Sequence, residues 1–176
     1  MRNNTLLIDE AYIKAYSIVS DNLDSKYLQP SIIEAQDIYL EPLIGSQLMN
    51  KLSDLVTSED IEKVENELYK YLLDKFVQPF LLNKVCSIVQ FSVFAKIRNA
   101  GVMQYNDTQE NSVNIENVNF MRKHFEDNAK FYAERMTDYL IGHRQQFPEW
   151  NCKCSNWKEG DVPSDPQRIN ICNIHL

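Results

Sequence analysis

Apolar residues crowd most densely between Pro79 and Gly101, PFLLNKVCSIVQFSVFAKIRNAG. Leu81, Leu82, Val85, Cys86, Ile88, Val89, Val93, Phe94 and Ile97 recur at spacings of three and four, with further apolar residues off that stripe. A helix that is apolar on nearly every side is either the centre of a bundle or a membrane span. Asn83, Lys84, Gln90 and Lys96 interrupt the stretch, and the run of about 18 uninterrupted apolar residues that a span requires does not occur. The pattern predicts a buried central helix. It would open at Pro79, whose missing N–H is not needed in a first turn, and close at Gly101.

Weaker periodicities surround it. Residues 1–7 read as an extended arm, and Asp9 as the cap of a helix over 10–20 with Ile8, Ala11, Tyr12, Ala15, Tyr16 and Val19 on one face. Ser31 to Glu34 has the form of a capping box after Pro30, predicting a helix to about Tyr39. Pro42 and Gly45 then break the chain before a short helix, capped by Ser46, with Leu48, Met49, Leu52 and Leu55 inward. Thr57-Ser58-Glu59-Asp60 reads as another start, for a helix over 58–77 with Ile61, Val64, Leu68, Leu72 and Phe76 on one stripe and a Glu59–Lys63 pair. Residues 101–115 are polar and aperiodic, a long loop or short hairpin of the length that usually carries function. A last long helix is expected over 117–141, with Val118, Met121, Phe125, Tyr132, Met136, Tyr139 and Leu140 inward and Gly142 as its stop.

The expected fold class is therefore all-α. Five to six helices form a small bundle around the central one over residues 1–145, followed by an irregular C-terminal arm over 146–176. Arg168 to Ile174 alternates there like a short β-strand, which would need a partner to dock on.

Composition narrows the function classes. The chain of 176 residues carries a formal net charge of −7, which disfavours nonspecific nucleic-acid binding. Nine Tyr, eight Phe and two Trp point to sizeable interfaces. MRNNTLLIDEAY has no long apolar core of an export signal, so the four cysteines are expected to be reduced thiols. Cys152, Cys154, Cys172 and His175 supply four ligands of the types a tetrahedral zinc site takes, at a spacing outside the standard finger patterns; free thiols and a disulfide are the competing readings. His124 and His143 stand among charges and read as solvated. Cys86 reads as a small core residue, and the acids of 54–67 as a solvated face. Trp150 and Trp157 could anchor the arm either on its own domain or on a neighbour. No nucleophile elbow, P-loop, zincin or dinucleotide motif is present. The site-residue expectation is accordingly none for catalysis, cofactor or metal.

The order of elements, with Ile33, Ala35, Gln36, Tyr39 and Leu40, then Pro42-Leu-Ile-Gly45 with Leu48 and Leu52, and later Arg98 to Val102, resembles the head–tail connector (adaptor) proteins of tailed bacteriophages. It looks most like those of crAss-like and other Bacteroidota phages and prophages, over roughly residues 5–145. The resemblance implies a non-enzymatic structural subunit of a virion, made in the host cytoplasm, that assembles with itself into a ring of about twelve copies. Such a ring docks beneath the portal protein, continues the channel through which genomic DNA passes without specific binding, and receives downstream neck or tail proteins; no membrane is involved. Excess acid suits a channel lining, and residues 1–7, 101–115 and 145–176 are the segments expected to hold partners. A helical protein-binding module unrelated to virions is the alternative, and a zinc-binding protein using the C-terminal Cys/His set a further one.

Overall fold

The computed structural model describes residues 5–19, 23–98, 101–104 and 115–150, with side chains for all of these except 91–98, 101–104 and 115. The body is all-α: α1 (Glu10–Tyr16), α2 (Ser25–Glu34), α3 (Glu41–Ile44), α4 (Ser46–Thr57), α5 (Glu67–Leu72), α6 (Gln78–Phe94) and α7 (Ile115–Gly142). Helix α6 is the centre that the hydrophobic pattern predicts. None of residues 78–90 is exposed, and Phe80, Leu81, Val85, Cys86 and Val89 lie in the core. Leu48, Met49, Leu52 and Leu55 of α4 point inward as expected.

Two of the helical stretches run on through prolines that their local signals read as breaks. Asp24 caps α2 by accepting a bond from the Lys26 N–H (3.0 Å), so the helix begins six residues before Ser31. Ser31 is no cap. It is buried in the helix interior, where its hydroxyl donates to the Tyr27 carbonyl (2.7 Å). The helix then widens into a π turn over Ala35–Leu40 and continues directly as α3. Helix α5 likewise passes through a π turn over Leu73–Val77 into α6. In both, the residue just before a proline donates five residues back: Glu41 N–H to Gln36 O before Pro42, and Gln78 N–H to Leu73 O before Pro79. A proline inside a helix removes a bond and drives its ring against the carbonyl four residues back. A π turn, with one residue more per turn, makes room for that ring. Pro79 thus lies within a continuous rod from Glu67 to Phe94 instead of opening a separate helix.

Four further expectations are corrected. The helix expected over 58–77 starts only at Glu67. Glu59 adopts a left-handed conformation (φ 59°) and Lys63 an extended one, so residues 60–66 form two short 3-10 turns that leave Val64 88% exposed. The lysine there pairs with Asp60 (2.6 Å), not Glu59. The central helix stops at Phe94, not Gly101. Ala95-Lys96-Ile97-Arg98 has the period of two that suits a strand, and β1 (Ala95–Arg98) pairs antiparallel with β2 (Gly101–Gln104), Ala95 opposite Gln104 and Arg98 opposite Gly101. The break before α4 is made by Gly45 itself (φ 81°, ψ 152°); Ser46 is the first helical residue and donates to Glu41 Oε1 (2.6 Å).

Both ends of the helical region reach further into the core than the composition implies. Leu7 and Ile8 are buried, and the buried Gln36 stitches this segment down: its Oε1 accepts from the Leu7 N–H (2.7 Å) and its Nε2 donates to the Thr5 carbonyl (3.1 Å). Helix α1 is short and turns Ile13 inward while leaving Tyr16 exposed. At the other end, Phe147 is fully buried and Trp150 nearly so, which extends the packed body past residue 145.

Candidate interaction surface

The rod formed by α5 and α6 and the long α7 lie side by side in opposite directions. Phe76 stacks on Tyr139 (5.0 Å between centroids), whereas Ser87, eleven residues on, reaches back to Glu126 (Oγ to Oε1, 3.2 Å). Each is 28 residues long, about 40 Å at 1.5 Å per residue. Buried α7 residues begin only at Ala129 and continue through Ala133, Met136 and Leu140. Residues 116–128 have no fully buried member.

Three exposed features follow from this layout. At the start of the rod, the 3-10 turns project a knob over residues 59–67 in which Glu59, Asp60, Glu62, Glu65 and Glu67 face one base, Lys63, around the exposed Val64. Asp60 pairs with Lys63, and Glu62 with Lys70. At the far end, the first turns of α7 carry Phe120 (76% exposed), Met121, Arg122, Lys123 and His124. Between them runs an aromatic band. Arg135 lies over the rings of both Phe76 and Phe131 (5.6 and 5.5 Å), Phe76 meets Tyr71 and Tyr139, and Tyr139 stacks on His143 (4.1 Å). Tyr69 closes the band against Phe147 and donates to Glu149 (2.9 Å); burial, aided by that carboxylate, pushes its phenol up to about 12. Tyr71 and Phe131 stand 46% and 53% exposed at its outer edge. Arginine held between aromatic rings at a water-facing edge has the composition of an interface hot spot.

Under the surface, the α6–α7 contact is polar along one seam. Lys84 is buried with its ammonium over the Tyr39 ring (3.9 Å), and burial lowers its pKa, opposed by the nearby Glu126. Glu126 is shared by Ser87 and Arg122 (3.7 Å to the guanidinium Nε). Among the described residues, the buried Gln90 side-chain amide finds no hydrogen-bond partner for either its oxygen or its nitrogen.

The residues singled out by chemistry fall apart in space. Cys86 is a buried core thiol whose pKa burial raises. His124 is exposed on α7, against Phe125. His143 is half-buried instead of solvated, its Nδ1 donating to the Tyr139 carbonyl (2.9 Å). Trp150 packs within its own domain. Cys152, Cys154, Cys172, His175, Trp157 and the candidate strand at 168–174 lie outside the described residues, as do residues 105–114 of the polar loop. Among the described residues no group of three or more His, Cys, Asp or Glu side chains is placed to hold a metal ion, and no helix is long and apolar enough to cross a membrane. Phe120 and Phe131 lie off the stripe of residues expected to face inward on this helix. Their separation of eleven residues, three helical turns, puts both on the outward side of α7 and was the available signal.

These features define an all-α protein whose distinctive parts are surfaces. Residues 40–159, more than half of the chain, match the model of a family described as a family of unknown function (DUF6712), and the chain belongs to that family. No curated protein and no solved structure matches it.

Proposed function

We propose that this protein is a structural subunit of a tailed-phage neck: a helical ring protein, present in about twelve copies, that docks beneath the portal, continues the DNA channel and offers its far side to neck or tail proteins in the virion. The observation that carries the reading is the band of Arg135, Phe76, Phe131 and Tyr71 on a rigid helical body, with further apolar residues exposed at both ends. A ring subunit has a neighbour on each side and partners above and below, and needs several such surfaces at once. The likeness of Pro42–Gly45 and Arg98–Val102 to connector proteins directs this general capacity toward the phage neck. No catalytic, cofactor or metal-binding role is assigned.

Mass photometry and negative-stain microscopy of the full chain, alone and mixed with a portal ring, test the proposal. A closed ring of about twelve subunits, or one that forms on the portal, is expected. A protein that stays monomeric at high concentration and ignores the portal would instead be a helical binding module. Zinc bound stoichiometrically in protein purified under reducing conditions would reopen a metal-binding role for the C-terminal Cys/His set.

A further inference from the structure

We propose that copies of this chain join head to tail, the basic, apolar tip of α7 on one copy seating on the acidic knob around Val64 of the next, an assignment that rests on the ring reading above. The knob has five carboxylates against one lysine over residues 59–67 and presents Val64 at its most exposed point. The tip has Lys123, and Arg122 paired with Glu126 one turn further on, beside the exposed Phe120 and Met121, with no acid between residues 117 and 125 and Glu116 at its start. Each is thus an apolar contact set in charge, and the charges are of opposite sign, the arrangement that steers and orients association. They cannot satisfy each other within one chain. The rod carries the knob at its start, α7 runs antiparallel to the rod, and its tip lies at the other end, about 40 Å away. Two different, complementary patches on one molecule make a heterologous contact, which propagates to a closed ring when the rotation between copies permits. The occupant of each patch is therefore a second copy.

Charge reversal and cross-linking on the full chain test this. Lys123→Glu/His124→Glu alters exposed residues of the tip outside the Arg122–Glu126 pair. Glu65→Lys/Glu67→Lys alters carboxylates outside the Asp60–Lys63 and Glu62–Lys70 pairs. Each double variant is expected to weaken self-association about tenfold or more while keeping the wild-type circular dichroism, and the two combined in one chain to restore it. Wild-type association should also weaken as salt is raised. Mixing Val64→Cys with Phe120→Cys protein under mild oxidation should give a disulfide between the two introduced cysteines, identified by peptide mass spectrometry. Rings that persist unchanged in both reversed variants, with no such cross-link, overturn this contact and leave the ring reading standing. A wild-type chain that is monomeric both alone and when mixed with a portal ring overturns both.

Discussion

Gly45 and Lys84 show how differently single residues bear on this fold. At Gly45 the backbone takes φ 81°, ψ 152°, a region essentially closed to residues with a Cβ, although a Cβ there would meet nothing within 4 Å. The requirement is conformational, not spatial. Gly45→Ala should therefore cost about 1–3 kcal/mol, read as a lower urea midpoint at unchanged m-value. Lys84 presents the opposite case, a buried ammonium whose desolvation opposes folding and which lies over the Tyr39 ring. Lys84→Met keeps the length of the side chain without the charge, and should leave stability at neutral pH equal or up to about 2 kcal/mol higher. The pH dependence follows from the direction of the shift. Because the folded-state pKa is lowered, the penalty is complete below it and is relieved as pH rises through it toward the unfolded lysine value of about 10.4. Wild type should gain on Lys84→Met over that alkaline window; denaturation of both proteins across it measures the difference.

Helix α7 divides into halves of unequal stability. Ala129, Ala133, Met136 and Leu140 anchor the second half in the core, whereas residues 116–128 lie along a seam with a buried cation and an amide that finds no partner among the described residues. Native-state hydrogen exchange should show amides of 129–141 opening near the global free energy, and those of 117–127 opening at least about 2 kcal/mol more easily. Uniform protection along α7 would mean that the seam is stronger than its polar content implies. The elements read best from sequence were those that propensity and packing both favour: α4, with its four inward residues, and the α7 stripe through Met136 and Leu140. Misreadings cluster where local signals conflict with continuity. Ser31 and Pro30 look like a helix start, yet the earlier cap at Asp24 and the π turn before Pro42 carry one helix through all of them. Glu59 and Lys63 leave the helical region, so the acids that resemble a first turn become a knob. The interaction surface was legible only as a surplus of aromatics. Which of them stay outside depends on how α7 is rotated against the rod, and that is set by packing that no short window contains.

At the scale of the molecule, the core joins sequence-distant ends. Leu7 and Ile8 pack at one end of the chain and Phe147 and Trp150 at the other, with Tyr69 and Glu149 bonded across 80 residues. Relative to a truncation after Trp150, one after Gln146 removes two core aromatics and should lose about 3–5 kcal/mol or more. Thermal unfolding of the two proteins decides this. A shorter protein as stable as the longer would place the domain boundary back at residue 145.

The π turn at Leu73–Val77 has a consequence beyond accommodating Pro79. One residue in a helix corresponds to about 100° of rotation around its axis. Relative to an unbroken α-helix of the same sequence, the turn swings everything before it, knob included, by roughly that angle about the line of α6. A single surplus residue therefore sets the compass bearing on which one end of the subunit faces relative to the other. In an assembly built end to patch, such a bearing fixes how far each copy turns from the last, and hence whether the series closes.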